Sequence, residues 1–407
     1  MGKRRVVITG LGVLSALGLD RAAFWRSLGE GRSGIAPIEA VDRSELRFQN
    51  GAEVHGYRAE GFFDFKEAGF LDRFAQFALL AAREAVRDSG VEWTAVLRER
   101  SAVVTGSCVG GQTTQDDGFV ELYGEKRGRV HPLTIPKTMA NAGASCISMA
   151  FGLTGPAYTI STACSSSNHA LGQAFWMVRH GLVDLALAGG SEAPFSLGLL
   201  KAWEALRVVS PDTCRPFARN RKGMILGEGG AILVLESLES ARARGAGIYA
   251  EVVGFGMTSD AHHITQPAAE GPARAMASAL ADAGLPPEAV GYINAHGTGT
   301  PSNDPTEARA IHSIFGKRAA GLPVSSTKSM HGHALGAAGA IEAVATVLAL
   351  RNGLLPPTAN FTEPDPECEL DVIPNSARRA EVDCALSNSF AFGGLNAVVA
   401  FRRWDGV

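Results

Sequence analysis

The sequence predicts an α/β fold, because short β-rich runs alternate with helical patterns. The predicted strands include "RVVITG", "SAVVTG", "VDLALAGG", "GGAILVLE" and "LPVSSTK". The predicted helices include "FAQFALLAAREAVRDSG", "ARAMASALADAG" and "AIEAVATVLALRNG". Each of these helices closes on glycine, the residue that most often caps a helix C-terminus. The strands are apolar on both faces, so we expect sheets buried between layers of helices.

The first strand follows a basic start, and the stretch "MGKRRVVITGLGVLSALGL" is similar in pattern to a secretory signal. Its β-branched run, stopped by Gly10 and Gly12, favours instead a buried strand that enters a turn. No run of 18 or more apolar residues occurs elsewhere. We therefore expect a soluble cytoplasmic protein with no membrane span.

A boundary between two α/β halves is expected within "LESLESARARGAGIYAEVVGFG", where a charged helix gives way to a new strand. We place residues 1–245 in the first half and residues 246–407 in the second. No low-complexity linker separates them, so we expect the halves to pack as one rigid body.

The composition excludes several classes of function. The chain has 407 residues, of which 46% are hydrophobic and 19% charged, so it can bury a large core. A formal net charge of −3 gives no general attraction to nucleic acid or to an anionic membrane. The six cysteines have no paired spacing, and zinc-type ligand sets, a P-loop and a complete GxGxxG motif are absent from the sequence. We expect reduced thiols in a cytosolic protein.

Cys164 lies at the predicted junction between a strand, "AYTIST", and a helix, "SSSNHALGQAFWMVRHG". The unpaired N–H groups and the dipole at a helix start favour a thiolate, which lowers the pKa of a cysteine placed there. Free cysteines are most often buried and inert, however. The position alone therefore leaves both a nucleophile and a packed thiol open.

Two histidines strengthen the first interpretation. His296 follows an apolar strand in "NAHGTGTPSNDPTEARA". In "STKSMHGHALGAAGAIEA", Lys328 stands five residues before His333, and Glu342 stands nine residues after it. Each histidine is at a Gly-rich strand end, where a ligand can approach the backbone. One cysteine with two such histidines is a set suited to acyl transfer.

Four stretches carry a resemblance to a known family. "TACSSS", "NAHGTGTPSND", "STKSMHGHALGAAGAIEA" and "SNSFAFGGLNAV" resemble the signatures of the elongating β-ketoacyl-acyl-carrier-protein synthases, the KAS II type of the thiolase superfamily. The stretch "LLKAWEALRVVSPDTCRPFARNRKGMILGEGGA" is similar to the nodulation and secondary-metabolite (type II polyketide) branches. The resemblance implies a five-layered αβαβα fold of two similar halves. It also implies a decarboxylative Claisen condensation with malonyl carrier protein, which lengthens a fatty-acyl or polyketide chain by two carbons without a cofactor.

The resemblance assigns roles to the catalytic candidates. Cys164 resembles the nucleophile that accepts the growing acyl chain from phosphopantetheine as a thioester. His296 and His333 resemble the pair that assists malonyl decarboxylation and stabilises the enolate oxygen. Lys328 and Glu342 resemble a buried ion pair that orients His333 and sets its protonation.

The resemblance also implies residues that contact the substrate. The backbone N–H groups of Cys164 and Phe392 resemble an oxyanion hole. Phe390 and Phe392 resemble an aromatic gate between the acyl and malonyl sides. Thr298 and Thr300 resemble the hydroxyls that hold the pantetheine arm.

Val109 falls where the family keeps an apolar gate to the acyl pocket, and Leu133 where a side chain reaches across a dimer interface. For these two residues, ordinary core packing stays equally open. The chain also departs from the family: His331 replaces the usual Thr, Ser or Asn, and Leu395 replaces the Thr of "GGTN". A His-Gly-His pair can suggest a metal, but no carboxylate stands at a fitting spacing, so we expect none.

The family's carrier proteins are acidic, so the resemblance implies an acyl- or malonyl-loaded acyl carrier protein as partner. The basic residues expected to dock it are Lys126, Arg127, Arg129 and Arg207. A charge run such as "GEKRGRVHP" is more often a solvated loop, and both interpretations stay open. The family further implies a homodimer, or a heterodimer with a chain-length-factor homologue, that pairs along the strand before Cys164.

Two other classes of protein, thiolases and chain-length factors, share features with an elongating synthase. Thiolases carry a second, acid/base cysteine in a C-terminal Gly-rich motif, whereas "SNSFAFGGLN" has none and Cys384 lies upstream of it. Chain-length factors lack the nucleophile, which this chain keeps as Cys164. The catalytic subunit of a heterodimer with such a factor would still look like this chain, so that alternative stays open.

Overall fold

The computed structural model describes residues 3–406, which form fifteen strands and fourteen α-helices. The strands are β1 (Val6–Ser15), β2 (Ala36–Pro37), β3 (Asn50–Gly51), β4 (Ser101–Gly106), β5 (Ala157–Ile160), β6 (Leu185–Glu192), β7 (Gly229–Ser237), β8 (Ala250–Ser259), β9 (Val290–Asn294), β10 (Pro323–Ser325), β11 (Leu354–Leu355), β12 (Asp371–Val372), β13 (Arg378–Arg379), β14 (Cys384–Ala391) and β15 (Leu395–Arg403). The helices are α1 (Arg21–Gly29), α2 (Phe65–Phe70), α3 (Arg73–Ser89), α4 (Ala95–Glu99), α5 (Gln112–Phe119), α6 (Thr134–Thr138), α7 (Ala142–Phe151), α8 (Ser166–Arg179), α9 (Leu197–Leu206), α10 (Leu238–Ala243), α11 (Glu270–Ala283), α12 (Asn303–Phe315), α13 (Lys328–His331) and α14 (Ala338–Asn352).

Eleven of the strands form one sheet in the order β12-β10-β9-β14-β15-β8-β1-β7-β6-β4-β5. The sheet consists of two half-sheets, which meet where β1 pairs with β8. Outward from β1, the neighbours β7, β6, β4 and β5 pair in the order antiparallel, antiparallel, parallel and parallel. Outward from β8, the neighbours β15, β14, β9 and β10 pair in the same order. The two half-sheets therefore share one topology.

Helices cover both half-sheets and separate them. α3 packs on β1, β7 and β6, whereas α11 packs on β8 and β15. α8 and α14 lie between the half-sheets and contact strands of both. This order of helix, sheet, helix, sheet and helix confirms the predicted α/β class and its five-layered αβαβα arrangement.

The central layer contains a long apolar helix, α14. Within residues 3–406, the segment Leu335–Asn352 is long and apolar enough to cross a membrane by length and composition, and 89% of it is buried inside the fold. α14 is buried continuously from Ala338 to Leu350. Such burial is typical of a core helix that packs against sheets on two sides.

The glycines of the first strand have a different role from the one predicted. Gly10 and Gly12 were expected to end the strand, but β1 continues through both of them to Ser15. α3 crosses this strand so closely that a Cβ on Gly10 would overlap the carbonyl oxygen of Ala85, and a Cβ on Gly12 that of Ala81. The predicted turn is therefore wrong, because these glycines permit close packing between a helix and a strand.

Candidate active site

Cys164 lies in a short connection between β5 and α8, which confirms the predicted junction between a strand and a helix. The preceding residue, Ala163, has a φ of 50°, which is unfavourable for a residue with a Cβ. Ser166 stabilises this turn, since its hydroxyl accepts from the Thr162 N–H at 2.9 Å and donates to the Ala163 carbonyl at 2.6 Å. The connection thus fixes the Cys164 side chain in one orientation, with 7% of the residue exposed.

The environment of the Cys164 sulfur combines burial with groups that favour negative charge. Burial raises the pKa of the thiol to about 12, against the effect of Lys328 and of hydrogen bonds from the N–H groups of Cys164 and Phe392. The direction is opposite to that expected from a helix start alone, because removing a thiolate from water outweighs the effect of nearby N–H groups. The two N–H groups that were predicted to form an oxyanion hole converge on this sulfur.

The two histidines face each other beside the thiol. The imidazole centroids of His296 and His333 are 5.5 Å apart, with ring planes at 84°. Burial, reinforced by the charge of Lys328, lowers the pKa of both rings well below the usual value, so both are neutral at neutral pH. The Nδ1 atom of His333 is buried without a hydrogen-bond partner among the described residues, whereas its backbone N–H donates to the Ile225 carbonyl at 2.7 Å.

Lys328 and Glu342 form an ion pair in which both side chains are fully buried. The Lys328 Nζ also donates to the His296 carbonyl at 2.7 Å and lies 3.4 Å from His296 Nδ1. The pair was expected to orient His333, but its hydrogen bonds go to His296. The reason is the parallel pairing of β9 with β10, which brings the segments that follow these two strands side by side. Burial also raises the pKa of Glu342 to about 7, against the effect of Lys328.

Two carboxylates that the sequence analysis did not single out hold the His296 loop. Glu307 accepts from the N–H groups of His296 at 2.8 Å and Gly297 at 2.7 Å. Asp304 accepts from the Gly299 N–H at 3.1 Å. Both stand in the stretch "HGTGTPSNDPTEARA", and an acidic residue on the first turns of a helix after a Gly-rich loop was the available signal.

A cavity of about 350 Å³ brings together most of the predicted catalytic and substrate-contacting residues. The predicted residues in its wall are Cys164, His296, His333, Thr298, Thr300, Phe390 and Phe392. The Thr298 and Thr300 hydroxyl oxygens lie 2.9 Å apart. Trp203, which was not predicted, also lines the cavity and stacks on Phe392 with ring centroids 6.1 Å apart.

Two predicted substrate-contacting residues lie outside this wall. Val109 is half-buried, and its N–H donates to Glu192 at 3.2 Å. Leu133 is half-buried just before α6, and its N–H donates to the His131 Nδ1 at 3.2 Å. Its reach across a dimer interface stays a prediction.

The four predicted docking residues are all exposed, but they differ in their surroundings. Arg127 forms ion pairs with Glu121 at 3.1 Å and Glu125 at 2.7 Å, and Lys126 and Arg129 flank it in the same loop. Arg207 follows α9 directly, between two residues that line the cavity, Leu206 and Val208. Arg207 is therefore next to the cavity wall in sequence, and docking by these four residues stays a prediction.

His331 is fully buried, and the protein uses both of its ring nitrogens. Nδ1 lies 2.8 Å from the Gly332 carbonyl oxygen and Nε2 lies 2.9 Å from the Thr327 hydroxyl. Because a carbonyl only accepts, Nδ1 carries the proton and Nε2 accepts from Thr327. His331 thus fixes the peptide that precedes His333.

Comparisons with known proteins agree with this geometry. Residues 3–241 match the family model described as "Beta-ketoacyl synthase, N-terminal domain". Residues 249–362 match the model described as "Beta-ketoacyl synthase, C-terminal domain". Nodulation protein E of Rhizobium sp. (strain N33) is 48% identical over 98% of this chain and 99% of that protein. The 3-oxoacyl-[acyl-carrier-protein] synthase 2 of Synechocystis sp. is 44% identical over 99% of both chains. The solved structure "The ishigamide ketosynthase/chain length factor" has a TM-score of 0.95 and 36% identity, and the match covers 99% of this chain and 100% of that one. The chain belongs to the β-ketoacyl synthase family.

Proposed function

We propose that this chain is a 3-oxoacyl-[acyl-carrier-protein] synthase. It carries an acyl group on Cys164 and condenses it with the enolate of malonyl carrier protein, which releases CO₂ and lengthens the chain by two carbons. The observation that carries this proposal is one cavity in which a thiol, two neutral imidazoles and two convergent backbone N–H groups meet.

Acyl transfer is the first half-reaction. The Cys164 sulfur, as thiolate, attacks the carbonyl carbon of the acyl thioester, and the pantetheine sulfur leaves as a thiolate that takes up a proton. Lys328 and the N–H groups of Cys164 and Phe392 favour the attacking thiolate. The same two N–H groups are suited to hold the oxyanion of the tetrahedral intermediate once the sulfur is acylated.

Decarboxylation generates the second nucleophile. When CO₂ leaves the malonyl group, the electron pair of the broken bond moves toward the thioester and places negative charge on its oxygen. A neutral imidazole offers one N–H donor, and His296 and His333 are both neutral and face one cavity. The enolate carbon then attacks the acyl carbonyl on Cys164, and the sulfur leaves as the new carbon–carbon bond forms.

Lys328 serves this step through His296. Its Nζ holds the His296 carbonyl at 2.7 Å, while Glu307 accepts from the N–H of the same residue at 2.8 Å. The His296 backbone is thus fixed on both sides, which limits the movement of its ring toward the substrate. We assign Lys328 and Glu342 to the positioning of His296.

The substrate arm is proposed to enter past Phe390 and Phe392, with Thr298 and Thr300 as hydroxyl partners for pantetheine. Arg207 is the docking candidate that the geometry favours most, because it lies beside cavity-lining residues and forms no ion pair within residues 3–406. Arg127 is a weaker candidate, since two carboxylates already offset its charge. Val109 is retained as a gate residue by its place in the family motif.

The proposal is tested by replacing the nucleophile. The C164A variant should lose condensation completely, because no other group can hold the acyl chain, and intact mass should show no acyl-enzyme. It should still release CO₂ from malonyl carrier protein, since both histidines remain. The C384A variant, which removes a buried thiol at the start of β14, is the matched control and should load and condense as the parent does. Full condensation by C164A would refute the assignment.

A second candidate function is the catalytic subunit of a ketosynthase/chain-length-factor heterodimer. The similarity to the ishigamide pair favours it. Purified alone, the chain should condense malonyl carrier protein if it acts as a homodimer, and should require the second subunit if it does not. In either case we propose a cytoplasmic enzyme whose halves divide near residue 245.

A further inference from the structure

Glu192 is a fully buried carboxylate that the proposed mechanism does not use, and it lies at the end of β6. Its Oε1 accepts from the Ser107 hydroxyl at 2.8 Å and the Val109 N–H at 3.2 Å. Its Oε2 accepts from the Cys108 N–H at 2.6 Å and the Gly336 N–H at 2.9 Å. All four donors are neutral, so the carboxylate is satisfied by hydrogen bonds rather than by an opposite charge.

These donors belong to two segments that are distant in the sequence. Ser107, Cys108 and Val109 follow β4 directly, and Val109 is the proposed acyl gate. Gly336 lies three residues after His333, and its carbonyl accepts from Ser167 in the first turn of α8. One carboxylate therefore joins the gate segment to the segment that follows His333.

The fit around Gly336 shows how tightly these parts are joined. A Cβ at Gly336 would overlap the Cys108 backbone nitrogen and the Glu192 carboxylate. The junction thus has no room for a side chain at this position, and a shift of either segment would move the other. The two segments and Glu192 consequently form one rigid unit.

The charge of Glu192 also acts on the nucleophile. A carboxylate near Cys164 disfavours its thiolate and so contributes to the raised pKa of this thiol. Burial raises the pKa of Glu192 itself to about 7, against the four hydrogen bonds, so the carboxylate is charged above neutral pH. The other ionisable groups around the Cys164 sulfur are Lys328, Cys108, His296 and His333.

We propose that Glu192 is a positioning residue that couples the acyl gate at Val109 to the His333 segment and tunes the reactivity of Cys164. The inference rests on the proposed function, because it concerns the selection of an acyl chain by that same site. The proposal predicts two separable effects. The reactivity of Cys164 should depend on the charge of the Glu192 carboxylate, whereas the range of accepted acyl chains should depend on the length of the Glu192 side chain.

The variants E192Q and E192D separate these effects. E192Q removes the charge, so at pH 9 iodoacetamide should alkylate Cys164 about tenfold faster than in the parent, which corresponds to a shift of about one unit in the thiol pKa. E192D keeps the charge but is one methylene shorter, so its alkylation rate should stay within about twofold of the parent. Both variants should load Cys164 with a wider range of acyl chain lengths, as read by intact mass, because the gate segment loses its anchor.

The matched control is E236Q, which removes a fully buried carboxylate on the neighbouring strand β7 that pairs with Arg244. It should change neither the alkylation rate nor the acyl range. A folded E192Q whose Cys164 is alkylated at the parent's rate would overturn the proposal. If E192Q does not fold, E192D provides the test. An E192D variant that loads the same range of acyl chain lengths as the parent would also overturn the proposal.

Alkylation needs no carrier protein, so this measurement stays independent of the proposed function. A parent that fails to condense any malonyl carrier protein would refute the synthase assignment. The comparison of alkylation rates among parent, E192Q and E236Q would still decide whether Glu192 tunes the thiol.

Discussion

At the scale of single residues, the site is held mainly through backbone groups. The His296 peptide is bound by Glu307 at its N–H and by Lys328 at its carbonyl. The peptide before His333 is bound by the His331 ring. Such backbone bonds fix the position of an imidazole, and Nε2 of His296, whose Nδ1 lies beside Lys328, remains available to a substrate oxygen. Buried titratable residues can therefore support the site without contacting the substrate.

His331 gives the first residue-scale prediction, which concerns stability and its dependence on pH. The H331N variant should be less stable by about 1 to 3 kcal/mol at pH 8, because the Thr327 hydroxyl loses its acceptor in the core. Burial lowers the pKa of His331 to about 3 in the folded protein, compared with about 6.5 when unfolded. Below pH 6.5 the unfolded parent takes up a proton that the folded parent cannot, so this histidine costs the parent stability as the pH falls.

The variant lacks this titration, so the stability difference between parent and H331N should shrink by about 1.4 kcal/mol from pH 8 to pH 5.5. Urea unfolding at the two pH values measures it. H180N, at an exposed histidine, is the control and is unfolded under the same conditions. A difference for H331N that does not change with pH would contradict a buried neutral imidazole.

At the scale of elements, the packing of α3 on β1 depends on the absence of side chains at two strand positions. Replacing Gly12 by Ala would force a Cβ into the Ala81 carbonyl oxygen. The helix would have to move away from the strand, so we expect a loss of about 2 to 3 kcal/mol in unfolding free energy, measured by urea denaturation. Gly247→Ala is the control, because an added Cβ there meets nothing within 4 Å. A G12A variant as stable as G247A would refute the tight packing of α3.

The same element shows where sequence reasoning succeeds and where it fails. The pattern of apolar residues predicts β1, α3 and α14 because it depends on local periodicity. It assigns Gly10 and Gly12 to a turn because glycine in a turn and glycine under a helix look alike in one sequence. The resemblance assigns the Lys328 pair to the orientation and protonation of His333. The charge of Lys328 does lower the pKa of His333, but the pairing of β9 with β10 brings the hydrogen bonds of Lys328 to His296. The wrong turn and the unforeseen contact of Lys328 with His296 both involve segments that are distant in sequence.

At the scale of the whole molecule, the repeated topology explains why the site forms at all. In the first half-sheet, Val109 follows β4, Cys164 follows β5 and Glu192 ends β6. The equivalent strands of the second half-sheet are β9, β10 and β14, and they are followed by His296, by Lys328 with His333, and by Phe392. The carboxyl ends of matching parallel strands thus bring residues of both half-sheets to one site, where Cys164, His296, His333 and Phe392 line the cavity. No repeat in the sequence signals this symmetry.

The last strand of the sheet leads to a prediction about assembly. β5 pairs with β4 on one side, and no strand within residues 3–406 pairs with its other edge. The Val103 N–H donates to the Pro156 carbonyl and the Ser107 N–H to the Ile160 carbonyl, so by alternation the Thr159 N–H points toward the open edge. An open edge strand is a template for pairing with a second chain. We expect the dimer, with a second copy or with a chain-length factor, to form here.

Thr159→Pro should therefore convert the dimer to a monomer, because proline removes the outward N–H while the bonds between β4 and β5 remain. Sedimentation velocity measures the change in mass. The control is Thr159→Val, which keeps the backbone N–H and gives up only the 2.8 Å bond to the Thr105 hydroxyl, and it should remain dimeric. Because Cys164 lies four residues after β5, the proline monomer should also load acyl chains more slowly than the valine dimer. If the T159P variant sediments as a dimer, the prediction is wrong and the dimer interface does not lie at this edge.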